Sequence, residues 1–165
     1  MRRRFRFQTS MRAVAVAMLG AVVISFLAQS PEARASDVDG GNDAELRSYF
    51  SGNGLLNRGL YDLAATEYRK FLENHDDHEK APVARYGLAV CLFRTQQHVA
   101  AATELARLTS ISAFVYAPEV GTMSGQCALA MKRYDAAAEA FEHVVRDHAR
   151  HDLADDAAVG WIEAL

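Results

Sequence analysis

"LYDLAATEYRKFLENHDDHEKAP", Leu60 to Pro82, decides how the chain is read, because the chain writes it twice. Seventy-three residues further on, Arg133 to Asp155 reads "RYDAAAEAFEHVVRDHARHDLAD". Tyr61, Asp62, Ala64, Ala65, His75, His78 and Ala81 recur as Tyr134, Asp135, Ala137, Ala138, His148, His151 and Ala154, and Phe141 answers Tyr68. A third copy lies between them. A shift of 37 carries Tyr61 to His98 in "QQHVAAATELARL", and a further 36 reaches Tyr134. Ala64, Tyr68 and Phe71 then align with Ala101, Leu105 and Leu108, and with Ala137, Phe141 and Val144. Steps of four and then three hold apolar side chains on one stripe of a helix.

A second mark keeps the same beat. Ala81–Pro82 returns as Ala117–Pro118 and as Ala154–Asp155. Proline suits the first turn of a helix, where its missing N–H costs nothing. Each unit therefore holds two helices, one opening at the Ala-Pro mark and one at the Tyr-Asp mark. First helices are predicted near residues 44–57, 82–94, 118–130 and 154–165, and second helices near 61–74, 98–109 and 134–148. "NRG" (Asn57 to Gly59) breaks the first pair, since glycine readily ends a helix. No period-2 strand pattern is visible, so the expected class is all-α.

A helix pair repeating at this length, with small residues where the helices cross, resembles the tetratricopeptide repeat family. The family's small first-helix residue falls on Gly52, Ala89 and Gly125, and its second-helix alanine on Ala64, Ala101 and Ala137. The resemblance covers about Ala44 to Leu165. It implies a right-handed helical-hairpin solenoid of about three repeats plus the first helix of a fourth. Three positions depart from it: Ser48, Arg85 and Gly121 stand where the family favours a large aromatic. HEAT or Sel1-like helical repeats are the alternative. Stacking is what makes such units stable, because one helix pair buries too little apolar area to offset its ordering entropy. Ala154 to Leu165 matches Ala81 to Leu92 at the same offset of 73. Trp161, Ile162 and Leu165 are expected on an open edge, covered by further repeats, by a partner or by self-association.

The first 35 residues read differently. Five arginines, Arg2, Arg3, Arg4, Arg6 and Arg12, precede the uncharged run Ala13 to Ala28, and Ala33 and Ala35 stand before Ser36. That is the layout of a signal peptide cleaved after Ala35. The alternative is an N-terminal membrane anchor, although the apolar run falls short of the ~20 residues that span a bilayer. "SDVDGGND" (Ser36 to Asp43) is a polar lead-in, so the repeat domain is expected over 44–165. Residues 1–35 carry six arginines and one glutamate. Without them the chain holds 12 basic against 20 acidic side chains, a formal net charge of −8. Phosphate backbones attract the opposite sign, so a nucleic-acid partner is not expected.

The doubled His-x-x-His, His75/His78 and His148/His151, has aspartates beside it and could suggest zinc. Packed helices lie ~8–10 Å apart, so two repeat layers separate the pairs by about 20 Å. Each pair alone supplies two ligands, and polar loops between repeats with helix C-caps account for them; no metal or cofactor is expected. Cys91 and Cys127 occupy one position in successive units, roughly 10 Å apart by the same spacing, whereas a disulfide needs Cα atoms within ~7 Å. Two buried free thiols are expected. There is no nucleophile elbow, phosphate-binding glycine loop or His-Glu-x-x-His, and the carboxylates fall along solvated faces. The reading is non-catalytic.

The resemblance implies protein–protein recognition on a concave face lined by first helices. Alignment gives Tyr49, Asn53, Tyr86, Val90, Thr122, Met123 and Gln126 as groove residues. The cationic pattern that clamps a peptide carboxylate in some members of the family is missing, with only Asn53 matching. The expectation is a scaffold of the bacterial envelope, periplasmic or secreted, that binds a peptide or partner helix. The alternative is a docking module of a longer enzyme or secretion component. Exported material is expected to have lost residues 1–35, which an intact-mass measurement checks.

Overall fold

The computed structural model describes residues 46–165. The expected leader at 1–35, the lead-in at 36–43 and the start of the opening helix lie outside them. Among the described residues there are seven helices and no strand: α1 (Arg47–Asn57), α2 (Tyr61–Asn74), α3 (Ala81–Arg94), α4 (His98–Ala106), α5 (Ala117–Ala130), α6 (Tyr134–Asp147) and α7 (Ala154–Ala164). The all-α hairpin repeat is therefore present, with Pro82 and Pro118 in the first turns of α3 and α5.

One boundary departs from expectation. The second helix of the middle unit was expected to reach residue 109, yet α4 ends at Ala106. Beyond it the backbone tightens to i→i+3 bonds, with Leu108 N–H donating to the Leu105 carbonyl at 2.9 Å. The Thr109 hydroxyl donates to the Ala106 carbonyl and that of Ser110 to Arg107. Hydroxyl side chains compete in this way for the carbonyls a longer helix would need. Leu108 stays buried all the same, so the apolar stripe outlasts the helix.

The turn inside each hairpin has one geometry. Gly59, Gln96 and Lys132, at matching positions, take φ of 73°, 61° and 58°. The following N–H, of Leu60, Gln97 or Arg133, donates five residues back to the carbonyl of Leu55, Leu92 or Ala128. A left-handed residue with that bond is a Schellman ending. Only the first unit fills it with the residue that adopts it freely.

Successive hairpins lock through rings. Tyr68 of α2 and Phe141 of α6 are almost wholly buried, and each is gripped by two glycines. A Cβ built on Gly52 or Gly87 would lie 2.9 or 2.5 Å from the Tyr68 ring. One built on Gly125 or Gly160 would lie 2.6 Å from the Phe141 ring. The second-helix ring thus enters a notch in its own first helix and another in the next. Ala64, Ala101 and Ala137 have no exposed surface, so the backbones close up beside the rings. The core falls into two clusters that meet along α5, where Cys127 belongs to one and Ala128 to the other.

These contacts separate two kinds of helical glycine. Gly125→Ala should cost about 1–3 kcal/mol through overpacking against Phe141. Gly54, on the open side of α1 with nothing within 4 Å, should gain about 0.5–1 kcal/mol on conversion to alanine. Urea denaturation of the two single variants reads both signs.

Candidate functional site

Curvature follows from which helices touch. Successive first helices meet, α1 on α3, α3 on α5 and α5 on α7, and no pair of second helices makes a comparable contact among the described residues. The first helices therefore line the inner wall of the stack. Register across them gives three rows. Leu46, Val83, Glu119 and Asp156 form one; Tyr49, Tyr86, Thr122 and Val159 the next; Asn53, Val90, Gln126 and Glu163 the third. Gln126, Asp156, Val159 and Glu163 share one shallow cleft of about 280 Å³, as that register requires.

The seven residues expected in the groove differ in freedom. Gln126 is exposed, Asn53, Tyr86, Val90 and Met123 are half-buried, and Tyr49 and Thr122 are buried. Tyr49 packs on Phe71 with ring centroids 5.6 Å apart. The Thr122 hydroxyl donates to the Pro118 carbonyl at 2.9 Å. Asn53 Oδ1 accepts from the Tyr68 hydroxyl at 2.7 Å. That bond gives the buried phenol a partner, and burial pushes its pKa well above the usual range. Met123 holds the position of Gly87 and Gly160 and packs against the core. Leu105, smaller than the rings of the other units, leaves it that room.

Residues beyond those seven complete one corner. Tyr86 of α3 stacks on Tyr116, the residue before α5, at 4.7 Å and 11°. Phe114 meets both edge-on, at 6.5 and 5.8 Å. Glu119 in the first turn of α5 lies beside them. Its Oε1 is 3.9 Å from His151 Nε2, and its Oε2 is buried without a hydrogen-bond partner. Burial first, then the Glu119 carboxylate and Tyr116, pushes the Tyr86 hydroxyl up to about 12. The apolar stripe could not have announced Phe114 and Tyr116, which sit in the long link after α4. Glu119 was legible as the register partner of Asp156.

The carboxylates are not all on solvated faces, as the sequence suggested. Arg85, at a position the family gives to an aromatic, is buried on the other side of α3. Its Nη1 donates to Glu104 Oε2 at 2.7 Å and its Nη2 to Asp76 Oδ1. A buried guanidinium demands such partners. Gly121, the next departure, lets Val144 of α6 close onto α5 where a side chain would stand, and it lines one edge of a recess of about 270 Å³ among α5, α6 and the link after α4.

The histidine pairs act alike in the two linkers. His75 and His148 cap α2 and α6, and their N–H groups donate to the carbonyls of Phe71 and Val144. The N–H of His78 and of His151 then donates to the carbonyl of His75 and of His148. Nδ1 of His78 accepts from the Lys80 N–H at 3.0 Å, and Nδ1 of His151 from the Leu153 N–H at 3.3 Å. One ring nitrogen of each second histidine is thus engaged in bringing the chain into the next first helix.

Residues 51–113, from within α1 to the link after α4, match the family model for the tetratricopeptide repeat. That stretch is tetratricopeptide-repeat sequence, and α5 to α7 continue its helical-hairpin pattern. No match was found among curated proteins. Tetratricopeptide repeats mediate protein–protein interaction, and the inner wall is the surface these repeats shape. No helix among the described residues is long and apolar enough to cross a membrane.

Cys91 and Cys127 are unpaired and fully buried, and burial pushes each thiol up to about 11. The thiolate is the reactive form. Ellman's reagent should find almost no fast thiol in the folded chain and two in guanidinium.

Proposed function

We propose that this chain is a non-catalytic scaffold that is exported to the bacterial envelope and binds a partner segment along its inner wall. The carrying observation is the wall itself: four first helices side by side, with Gln126 exposed and Tyr86 and Val90 half-buried along the rows. An extended peptide or an amphipathic helix matches a curved wall of parallel helices, because its side chains meet successive rows. The arginine-led apolar run before Ala35 supports export, and the wall's lack of lysine and arginine argues against an acidic partner.

The outward side of α7 belongs to the same reading. Ile162 and Leu165 are 73 and 89 % exposed, and Ile162 stands where Gly52, Ala89 and Gly125 offer a notch to a ring. A second copy meeting this raised row would remove it from water. Sedimentation over a range of concentrations should show association that Ile162→Asp abolishes.

Gln126 provides the test of the wall, since its side chain supports no neighbour and can be enlarged without disturbing the core. Gln126→Arg should weaken capture of envelope proteins by at least tenfold while leaving the circular dichroism unchanged. Equal capture by the parent and the variant would remove the wall from consideration.

A further inference from the structure

The inner wall is graded along its length, and the gradient specifies an occupant. Toward α3 its half-buried side chains are Val83, Tyr86 and Val90, whereas at the α5–α7 end Glu119, Asp156 and Glu163 stand beside Val159. Between the two ends lies the corner of stacked rings. We propose that the corner formed by Tyr86, Tyr116 and Glu119 binds a lysine or arginine side chain of the partner segment, whose apolar residues then lie toward α1. The proposal rests on the inner wall being the binding surface, and it names the chemistry that wall selects.

Three observations converge on a cation. Glu119 Oε2 is sealed from solvent without a hydrogen-bond partner, so a docking cation meets the carboxylate at Oε1, on a side chain 28 % exposed. His151 stands 3.9 Å from Oε1, too far for a hydrogen bond. It is held there because its Nδ1 accepts from the Leu153 N–H. Beside the carboxylate, Tyr86 and Tyr116 stack with Phe114 against their edges, and aromatic faces attract ammonium and guanidinium groups. Finally, Asp156 and Glu163 are exposed further along the wall, and no lysine or arginine stands in its rows, so the field at this end favours an approaching cation. Burial first, then the negative charge of Glu119, raises the Tyr86 hydroxyl pKa, in keeping with a carboxylate near these rings.

The experiment is a selection of displayed random heptapeptides on three forms of the full chain: the parent, Glu119→Gln and Gln126→Arg. Glu119→Gln preserves shape and removes the negative charge from a partly exposed side chain, so its circular dichroism should match the parent's. The expected result is enrichment on the parent of peptides with one lysine or arginine at a constant position beside apolar residues. Gln126→Arg should abolish that enrichment. Glu119→Gln should weaken the selected peptides at least tenfold, as should replacing their arginine by citrulline. Peptides that need Gln126 but bind equally well with citrulline, or equally well to Glu119→Gln, would overturn the cation site and leave the wall standing. Failure to enrich any peptide that depends on Gln126 would overturn the wall reading and this proposal together.

Discussion

Everything in this stack depends on a ring closed between two glycines. Tyr68 sits between Gly52 and Gly87, and Phe141 between Gly125 and Gly160, so each large side chain joins its own first helix to the next. A ring buries far more apolar surface than an aliphatic residue, but only where the backbones opposite come close. The glycines permit that approach despite their cost in helix propensity. The middle unit uses a different fit, with Leu105 for the ring and Ala89 and Met123 for the two glycines. Volume is conserved across the contact while its parts are redistributed, which packed cores tolerate well.

Once the rings hold the layers in register, other features fall into place. The histidines repeat because each linker must leave a second helix, turn and enter the next first helix with its backbone bonds made. The cysteines repeat because both occupy one fully buried position. The outer side can then carry departures from the family pattern. Arg85 fills its position with an ion-paired guanidinium, and Gly121 yields its own to Val144. Histidine and cysteine pairs that recur in the sequence thereby serve separate structural tasks.

The inner wall carries the chemistry that the repeat leaves free. Apart from Leu46, Tyr49, Asn53 and Thr122, which the core engages, its side chains are free to vary from unit to unit. They do vary, from aromatic and aliphatic near α1 to acidic near α7. A wall of this kind distinguishes partners by order as well as composition, because a segment placed in reverse would set its apolar residues against carboxylates.

The sequence by itself determined the class, the period and the helix boundaries other than the end of α4, because helical spacing and chain punctuation are local properties. It also disclosed the buried alanines and the free thiols, since residues in matching positions of a stack share one environment. What tertiary structure decided is which residues meet across units. That Tyr68 would face two glycines, that Asn53 would hold its hydroxyl, and that Tyr49 and Thr122 would be buried depends on how helices far apart in the chain approach. The link after α4 shows the limit most clearly. Phe114 and Tyr116 lie outside the periodic stripe, and only the placing of α5 against α3 brings them onto Tyr86 beside a carboxylate. Local pattern dictates a helix and its apolar face, whereas the neighbour opposite each side chain is set by packing alone.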